Sequence, residues 1–167
     1  LGLVVLVAGA LVATYRGVEV DSRTYAETAV VFAVGFLFVV AIRAMDPAIV
    51  PLGGEKFLDF GLLQSLLRAD TLPPEDMWFA GEPVAYYYGG HLLAALLSLL
   101  TDTPARYAYN LTLVTVYATL ATAAYGVAGA IADARGLDHR RGGLLGAFFV
   151  ALASNLVSPL QLPRWLA

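Results

Sequence analysis

"YAETAVVFAVGFLFVVAIRAM", residues 25–45, decides the fold class. A glutamate and an arginine sit near its two ends, and everything between them is apolar or small. Wound into a helix, such a run has no polar face. It therefore belongs among lipid or protein on all sides, unlike a surface helix with one wet stripe. About 20 residues cover the ~30 Å hydrocarbon core of a bilayer. Thr24 and Glu27 have the S/T-x-x-E form of a capping box, which places the helix start there. Asp46-Pro47 ends it, because proline disfavours helix in the residue before it.

The composition extends this reading to the whole chain. Of 167 residues, 59% are hydrophobic and 14% charged, against roughly 25% charged in a soluble domain. Mean hydropathy is +0.73. The apolar residues fall in long runs, so the expected fold is an all-α, polytopic integral membrane protein. Cysteine is absent, which excludes disulfides, Cys-ligated metals and thiol catalysis. A net charge of −3 argues against a nucleic-acid partner. The chain opens in "LGLVVLVAGALVATY" (1–15) with neither an initiator methionine nor a cleavable-signal pattern. It reads as a portion of a longer chain, entered inside a helix. Membrane lipids and the remaining transmembrane helices of the intact protein are its expected partners.

After residue 45 the apolar runs are interrupted. "EKFLDFGLLQSLLRAD" (55–70) has the spacing of an amphipathic helix, with Phe57, Leu58, Leu62, Leu66 and Leu67 against Glu55, Asp59 and Arg68. Gly53-Gly54 precedes it as a turn, and "TLPPEDMWFAGEP" (71–83) follows as a proline-bearing loop. Residues 86–100 form a short apolar helix, starting at the tyrosine triplet of "YYYGGHLLAALLSLL". Thr103 as N-cap and Pro104 in the first turn open a long helix running to about residue 132. "DARGLDHRRGG" (133–143) is a basic loop, and a last apolar segment runs from Leu144 to about Leu156, extending towards Leu162.

Length and charge fix a topology. Fifteen helical residues rise ~22 Å, short of the ~30 Å core. Arg16 and Arg23 flank one short loop, and Arg135, Arg140 and Arg141 fill another. The positive-inside rule puts both loops in the cytoplasm, which requires that 86–100 does not cross. The expected organisation has three parts. Residues 1–45 form two transmembrane helices, the first truncated. Residues 46–104 form an outer-face loop with the acidic helix, the proline loop and a short tyrosine-led helix. Residues 105–167 form two further transmembrane helices joined by the basic cytoplasmic loop. The expected location is the plasma membrane.

Several residues can carry chemistry there. Glu55 and Asp59 are spaced i, i+4 and share a helix face. They can hold a divalent cation, or one can act as a general base. Equally, they can be the solvated face of an interfacial helix. Lys56, the single lysine, can meet a lipid phosphate or serve as a headgroup anchor. Glu75 and Asp76 sit in the proline loop, where Trp78 fits a membrane-interface anchor. Tyr86, Tyr87 and Tyr88, ~100° apart on a helix, cannot all face one interface, so at least one points into protein. His91 lies one turn beyond them, in reach of a tyrosine. Gly89-Gly90 implies close packing or a local break. Asn110 heads an N-x-T sequence within a spanning segment, out of reach of glycosylation. Asn155 and Gln161 can line a polar cavity near the end of the last segment.

The combined stretch "GGEKFLDFGLLQSLLRADTLPPEDMWFAGEPVAYYYGGHLL", with "IRAMDP" before it and "YAYNL" and "SNLVSPLQ" after, resembles the archaeal and Chloroflexi YYY membrane-protein family. The order of elements is similar to that of the GT-C superfamily of membrane glycosyltransferases. That resemblance implies a GT-C-like helical arrangement and transfer of a sugar from a polyprenyl-phosphate donor to an acceptor on the outer face. It places the acidic pair near Glu55-Lys56, where lysine departs from the usual Asp-Glu pattern, and leaves Asp59 as the other candidate base. Lys56, Asp76, Trp78, Tyr86, Tyr87, Tyr88, His91 and Asn155 become substrate-binding candidates, with Glu55 and Asp59 as ligands of any divalent cation. Two other classes compete. A transporter or channel needs its acids facing the bundle interior at membrane depth. A non-catalytic scaffold would bury the same residues against one another.

Overall fold

The computed structural model describes residues 2–17, 21–49 and 55–153. Among them it contains six helices: α1 (Gly2–Tyr15), α2 (Ser22–Met45), α3 (Lys56–Arg68), α4 (Gly89–Thr101), α5 (Ala105–Asp133) and α6 (His139–Ala151). The one β feature among the described residues is an isolated bridge between Glu75 and Pro83. The protein is all-α, and α2 and α5 are the described helices long and apolar enough to cross a membrane. No residue of α2 is buried, which suits a helix whose apolar surface meets lipid. The Gly53-Gly54 turn, Asn155 and Gln161 lie outside the described residues.

The chain divides into two compact units: Leu1–Glu19 with Ile42–Leu113, and Val20–Ala41 with Val114–Ala167. In the first, α3 packs on α4. Leu63 and Leu66 meet Ala94 and Ala95, with Phe60, Tyr88, Leu92 and Tyr109 around them. Alanines on α4 let the helices approach, so Leu63→Ala should cost about 2–5 kcal/mol. The proline loop is stitched to itself by Asp76 N–H to Glu82 C=O (2.8 Å) and Val84 N–H to Pro74 C=O (2.9 Å). It is anchored on α3 where Met77 Sδ occupies the space that a side chain at Gly61 would need. α4 stops at Asp102, in the left-handed region at φ 54°; its N–H and that of Thr103 both reach Ser98 C=O.

In the second unit, close approach is set by small residues. A Cβ at Gly143 would lie 2.9 Å from Tyr125 C=O, and one at Gly146 would lie 2.9 Å from Ala124 C=O. The α6 backbone thus rests on α5 as small-residue membrane interfaces do.

Several local expectations are corrected. α2 starts at Ser22, not at the Thr24 capping box. Asp21 accepts from Arg23 N–H (3.1 Å) and Thr24 N–H (3.3 Å), and Glu27 turns instead to Arg23, Arg140 and Tyr125. The tyrosines do not open α4, which starts at Gly89. Tyr86–Tyr88 are non-helical, and Tyr88 holds the N-cap position at φ −116°, ψ 5°. A Cβ at Gly89 or Gly90 would meet open space, so the glycines mark a helix start and not a tight crossing. Thr103 does not cap α5; its hydroxyl pairs with Thr101 (2.8 Å). Arg140 and Arg141 belong to the first turn of α6 rather than to a loop, because Asp138 caps that helix at Arg141 N–H (2.8 Å).

Candidate functional site

Both candidate carboxylates lie at the start of α3, yet their settings differ. Glu55 is at the N-cap position, exposed, and its side chain caps no backbone N–H. Asp59, one turn on, is partly buried, and its Oδ1 meets His91 Nε2 of α4 at 3.1 Å. The carboxylate partner puts a proton on Nε2. Among the described residues His91 Nδ1 is buried without a hydrogen-bond partner, and the ring's one bond within them is on its Asp59 side. Tyr109, on α5, also acts on the Asp59 carboxylate and stands edge-on to Phe60 (6.0 Å, 88°). The sequence put His91 in reach of a tyrosine; in the structure its Nε2 meets Asp59, and the tyrosines precede the helix.

The triplet divides its labour. Tyr88 turns inward onto the α3–α4 core. Tyr86 and Tyr87 turn outward, their rings stacked at 4.1 Å, and the Tyr86 hydroxyl donates to that of Tyr87 at 2.7 Å. The Tyr86 phenol is pushed up to about 12, first by that hydrogen bond, then by partial loss of water and the negative charges of Tyr87, Glu55 and Asp59. The outward tyrosine pair therefore lies in the electrostatic range of both candidate carboxylates.

Two cations of the same unit, Arg43 and Lys56, are each held by a side-chain partner. Arg43, in the last turn of α2, donates to Asn110 Oδ1 from Nε (2.9 Å) and Nη2 (2.6 Å). Asn110 in turn donates to Pro47 C=O (3.3 Å). Lys56 is paired with Asp46 at 2.7 Å, which holds the Asp46 carboxyl below its ordinary value, with Arg43 adding to the effect. Lys56 is thus an ion-paired residue here rather than a free anchor. Arg43, Asp46, Tyr109 and Asn110 were not named as site residues from sequence. The signal was present in "IRAMDP" and "YAYNL", but only the fold brings those stretches beside α3.

Asp76 and Trp78 belong to the proline loop. Asp76 Oδ1 accepts from Trp78 N–H (2.7 Å) and Phe79 N–H (3.2 Å), shaping the loop turn. Trp78 is exposed and tilted on Phe57 (5.8 Å). Both line a polar pocket of about 500 Å³ with Arg68, Asp70 and Glu75, and the Trp78 ring reaches back from it to Phe57 in the first turn of α3. Among the described residues no group of three His, Cys, Asp or Glu side chains could hold a metal ion.

The arrangement is a half-exposed acidic and aromatic cluster with two nearby cations, borne on helices of a membrane protein. No curated protein and no solved structure matches the chain. The sequence model of a membrane family does match, over residues 1–167: the chain belongs to the family described as "Uncharacterized membrane protein (DUF2298)".

Proposed function

We propose that this chain carries the reaction site of a membrane glycosyltransferase of GT-C type, which moves a sugar from a polyprenyl-phosphate donor to an acceptor hydroxyl. In this reading residues 46–104 lie on the outer face of the plasma membrane. The observation that supports it is the convergence of α3 and the tyrosine segment: Asp59 bonded to His91, with Tyr86 in the field of Glu55 and Asp59. Glu55 is the base. Among the described residues it is exposed and its side chain caps no backbone N–H, whereas Asp59 is bonded to His91. It takes the acceptor proton as the acceptor oxygen bonds to the anomeric carbon. The bond from that carbon to the phosphate oxygen breaks, and the lipid phosphate leaves with the electron pair. Lys56 and Arg43 offset the charge that develops there, Lys56 by exchanging Asp46 for phosphate. The stacked Tyr86–Tyr87 pair offers an apolar wall with a hydroxyl rim to a sugar ring. Asp59 and His91 position the start of α3. The exposure of Glu55, Tyr86 and Tyr87 disfavours a scaffold that buries them.

The test is transfer by the intact protein, reconstituted with lipid-linked sugars from its own membranes. Glu55→Gln should lower turnover by about 10²–10⁴-fold, the usual worth of a general base, with folding unchanged. Full turnover in that variant would remove Glu55 as base. Full turnover in Asp59→Asn as well would sink the reading. Ion flux in proteoliposomes that disappears with Asp59→Asn would replace it with a transporter.

A further inference from the structure

The second unit holds a different constellation, which the transfer reaction does not use. Glu27 of α2 is nearly enclosed, its side chain 16% exposed. Its Oε1 accepts from Arg23 Nε (3.1 Å) and is ion-paired with Arg140, whose Nε lies at 2.8 Å, and its Oε2 accepts from the buried Tyr125 hydroxyl (3.1 Å). One carboxylate thus holds two guanidinium groups near their Nε atoms and leaves their remaining donors unused by it. These face outward: the Arg23 and Arg140 side chains are 74% and 57% exposed. At the carboxylate itself two cations stand against one anion, while Asp21 acts on Arg23 and Asp138 on Tyr125 from the edge of the cluster.

This cluster caps an apolar channel. Arg23, Glu27, Tyr125 and Arg140 line a pocket of about 480 Å³ together with Val30, Val31 and Leu144. The last three also line a second pocket of about 370 Å³, which continues past Val34 and Phe38 of α2 and Phe148 of α6. Val30 to Phe38 is a helical run of ~12 Å. Both pockets are walled by apolar surface and share Val30, Val31 and Leu144, so the charged ends of Arg23 and Arg140 stand at the rim of one continuous apolar groove. A soluble anion would leave the apolar part unfilled, and a purely apolar helix would leave the guanidinium groups without an anion. We infer that the groove between α2 and α6 is a binding site for an anionic phospholipid, its phosphate on Arg23 and Arg140 and an acyl chain along Val34, Phe38 and Phe148.

A planar guanidinium fork suits phosphate better than an ammonium does. Glu27 acts as a brace: Tyr125 holds its carboxylate, which orients Arg23 by a hydrogen bond and keeps Arg140 close by charge.

The test uses the intact protein in bilayers that mix phosphatidylglycerol and phosphatidylcholine, with one lipid or the other brominated. Phe148→Trp reports on the groove and Leu37→Trp on exposed α2 surface outside it. Each is read as added quenching over the parent, which carries Trp78 and Trp165. At Phe148→Trp, brominated phosphatidylglycerol should be preferred roughly fivefold, the effect of one net charge near a bilayer surface. At Leu37→Trp the two lipids should quench alike. Arg23→Gln with Arg140→Gln should bring the groove's preference to unity while Leu37→Trp quenching stays unchanged, which shows that the fold persists. Arg140→Lys should keep part of it. Equal quenching by both lipids at Phe148→Trp overturns the inference. So does shielding of Phe148→Trp from both lipids while Leu37→Trp is quenched, because a further protein segment then fills the groove.

Discussion

Glu27 and Glu55 stand near the starts of α2 and α3, and they are opposites. Glu27 is nearly enclosed, accepts hydrogen bonds from Arg23 and a buried tyrosine, and is ion-paired with Arg140. Glu55 is exposed and its side chain caps no backbone N–H. A carboxylate saturated by fixed donors has its lone pairs occupied and holds structure together. A carboxylate with free lone pairs near aromatic rings and cations is available to a substrate proton. The same side chain thus divides the molecule into a braced region and an open one. The tyrosines follow suit: Tyr125 is buried and donates to Glu27, while Tyr86 and Tyr87 bond each other in the open.

The largest expected effect breaks or confirms that contrast directly. Glu55→Gln should remove about 10²–10⁴-fold of turnover and leave the melting temperature of the purified protein where it was. Glu27→Gln should do the reverse, because its amide replaces one acceptor oxygen by a donor facing two arginines and a phenol. The expected outcome is a lower melting temperature with normal turnover per folded molecule. If the two variants shift the same observable, the division is wrong.

The next effect sharpens the braced side. Gly146→Leu places a side chain against Ala128 and the Ala124 carbonyl. It should destabilise by about 1–3 kcal/mol, the usual cost of overpacking, read as a lower melting temperature in detergent. Gly126→Ala, where a Cβ meets open space, is the control and should not destabilise.

Histidine supplies the third comparison. His91 meets Asp59 at 3.1 Å and His139 meets Asp133 at 2.7 Å, so distance alone would rank His139 first. Position reverses the order: His91 joins two elements of the candidate site, and His139 ties the start of α6 to the end of α5. His91→Ala should lower turnover about tenfold, the worth of one charge-assisted positioning bond of ~1.5 kcal/mol. His139→Ala should leave turnover unchanged. Equal losses in the two assays would show that the Asp59–His91 bond has no special place in the reaction.

How much of this was legible in the sequence follows from what each feature depends on. α2 and α5 were readable because unbroken apolar runs need no partner to identify them. The acidic face of α3 was readable from its spacing, and the failure of 86–100 to reach spanning length was readable from its count. What depends on the third dimension was not. Thr24 and Glu27 match a capping box letter by letter, but Asp21 takes the Thr24 N–H that Glu27 would accept from, and Glu27 has other partners in Arg140 and Tyr125, over a hundred and nearly a hundred positions away. The tyrosine triplet reads as a helix start because apolar residues follow it; the structure delays the helix to Gly89, so that Tyr88 can turn inward while Tyr86 and Tyr87 turn out. Arg43 and Asn110 are 67 positions apart, and no local pattern announces their bond.

The smallest expected effect concerns that outward pair. The Tyr86 phenol is raised to about 12 from 10.0, first by its hydrogen bond to Tyr87 and then by lost water and the charges of Tyr87, Glu55 and Asp59. Ionising Tyr86 removes the donated proton and adds a third negative charge beside two carboxylates, so both causes favour the neutral phenol. Because the folded value lies above the unfolded one, the stabilisation is complete below about pH 10 and fades as pH rises through about 12. Tyr87→Phe deletes the acceptor and the Tyr87 charge but keeps the stacked ring and the two carboxylates. Ultraviolet difference titration should then show one phenol fewer and the Tyr86 transition moved down towards 10, though not fully there. Adding Glu55→Gln should lower it again by a smaller step. A Tyr86 transition that ignores Tyr87→Phe but responds to Glu55→Gln would mean the carboxylates, not the partner phenol, govern this pair. The open region would then be electrostatically tighter than the hydrogen bond alone implies.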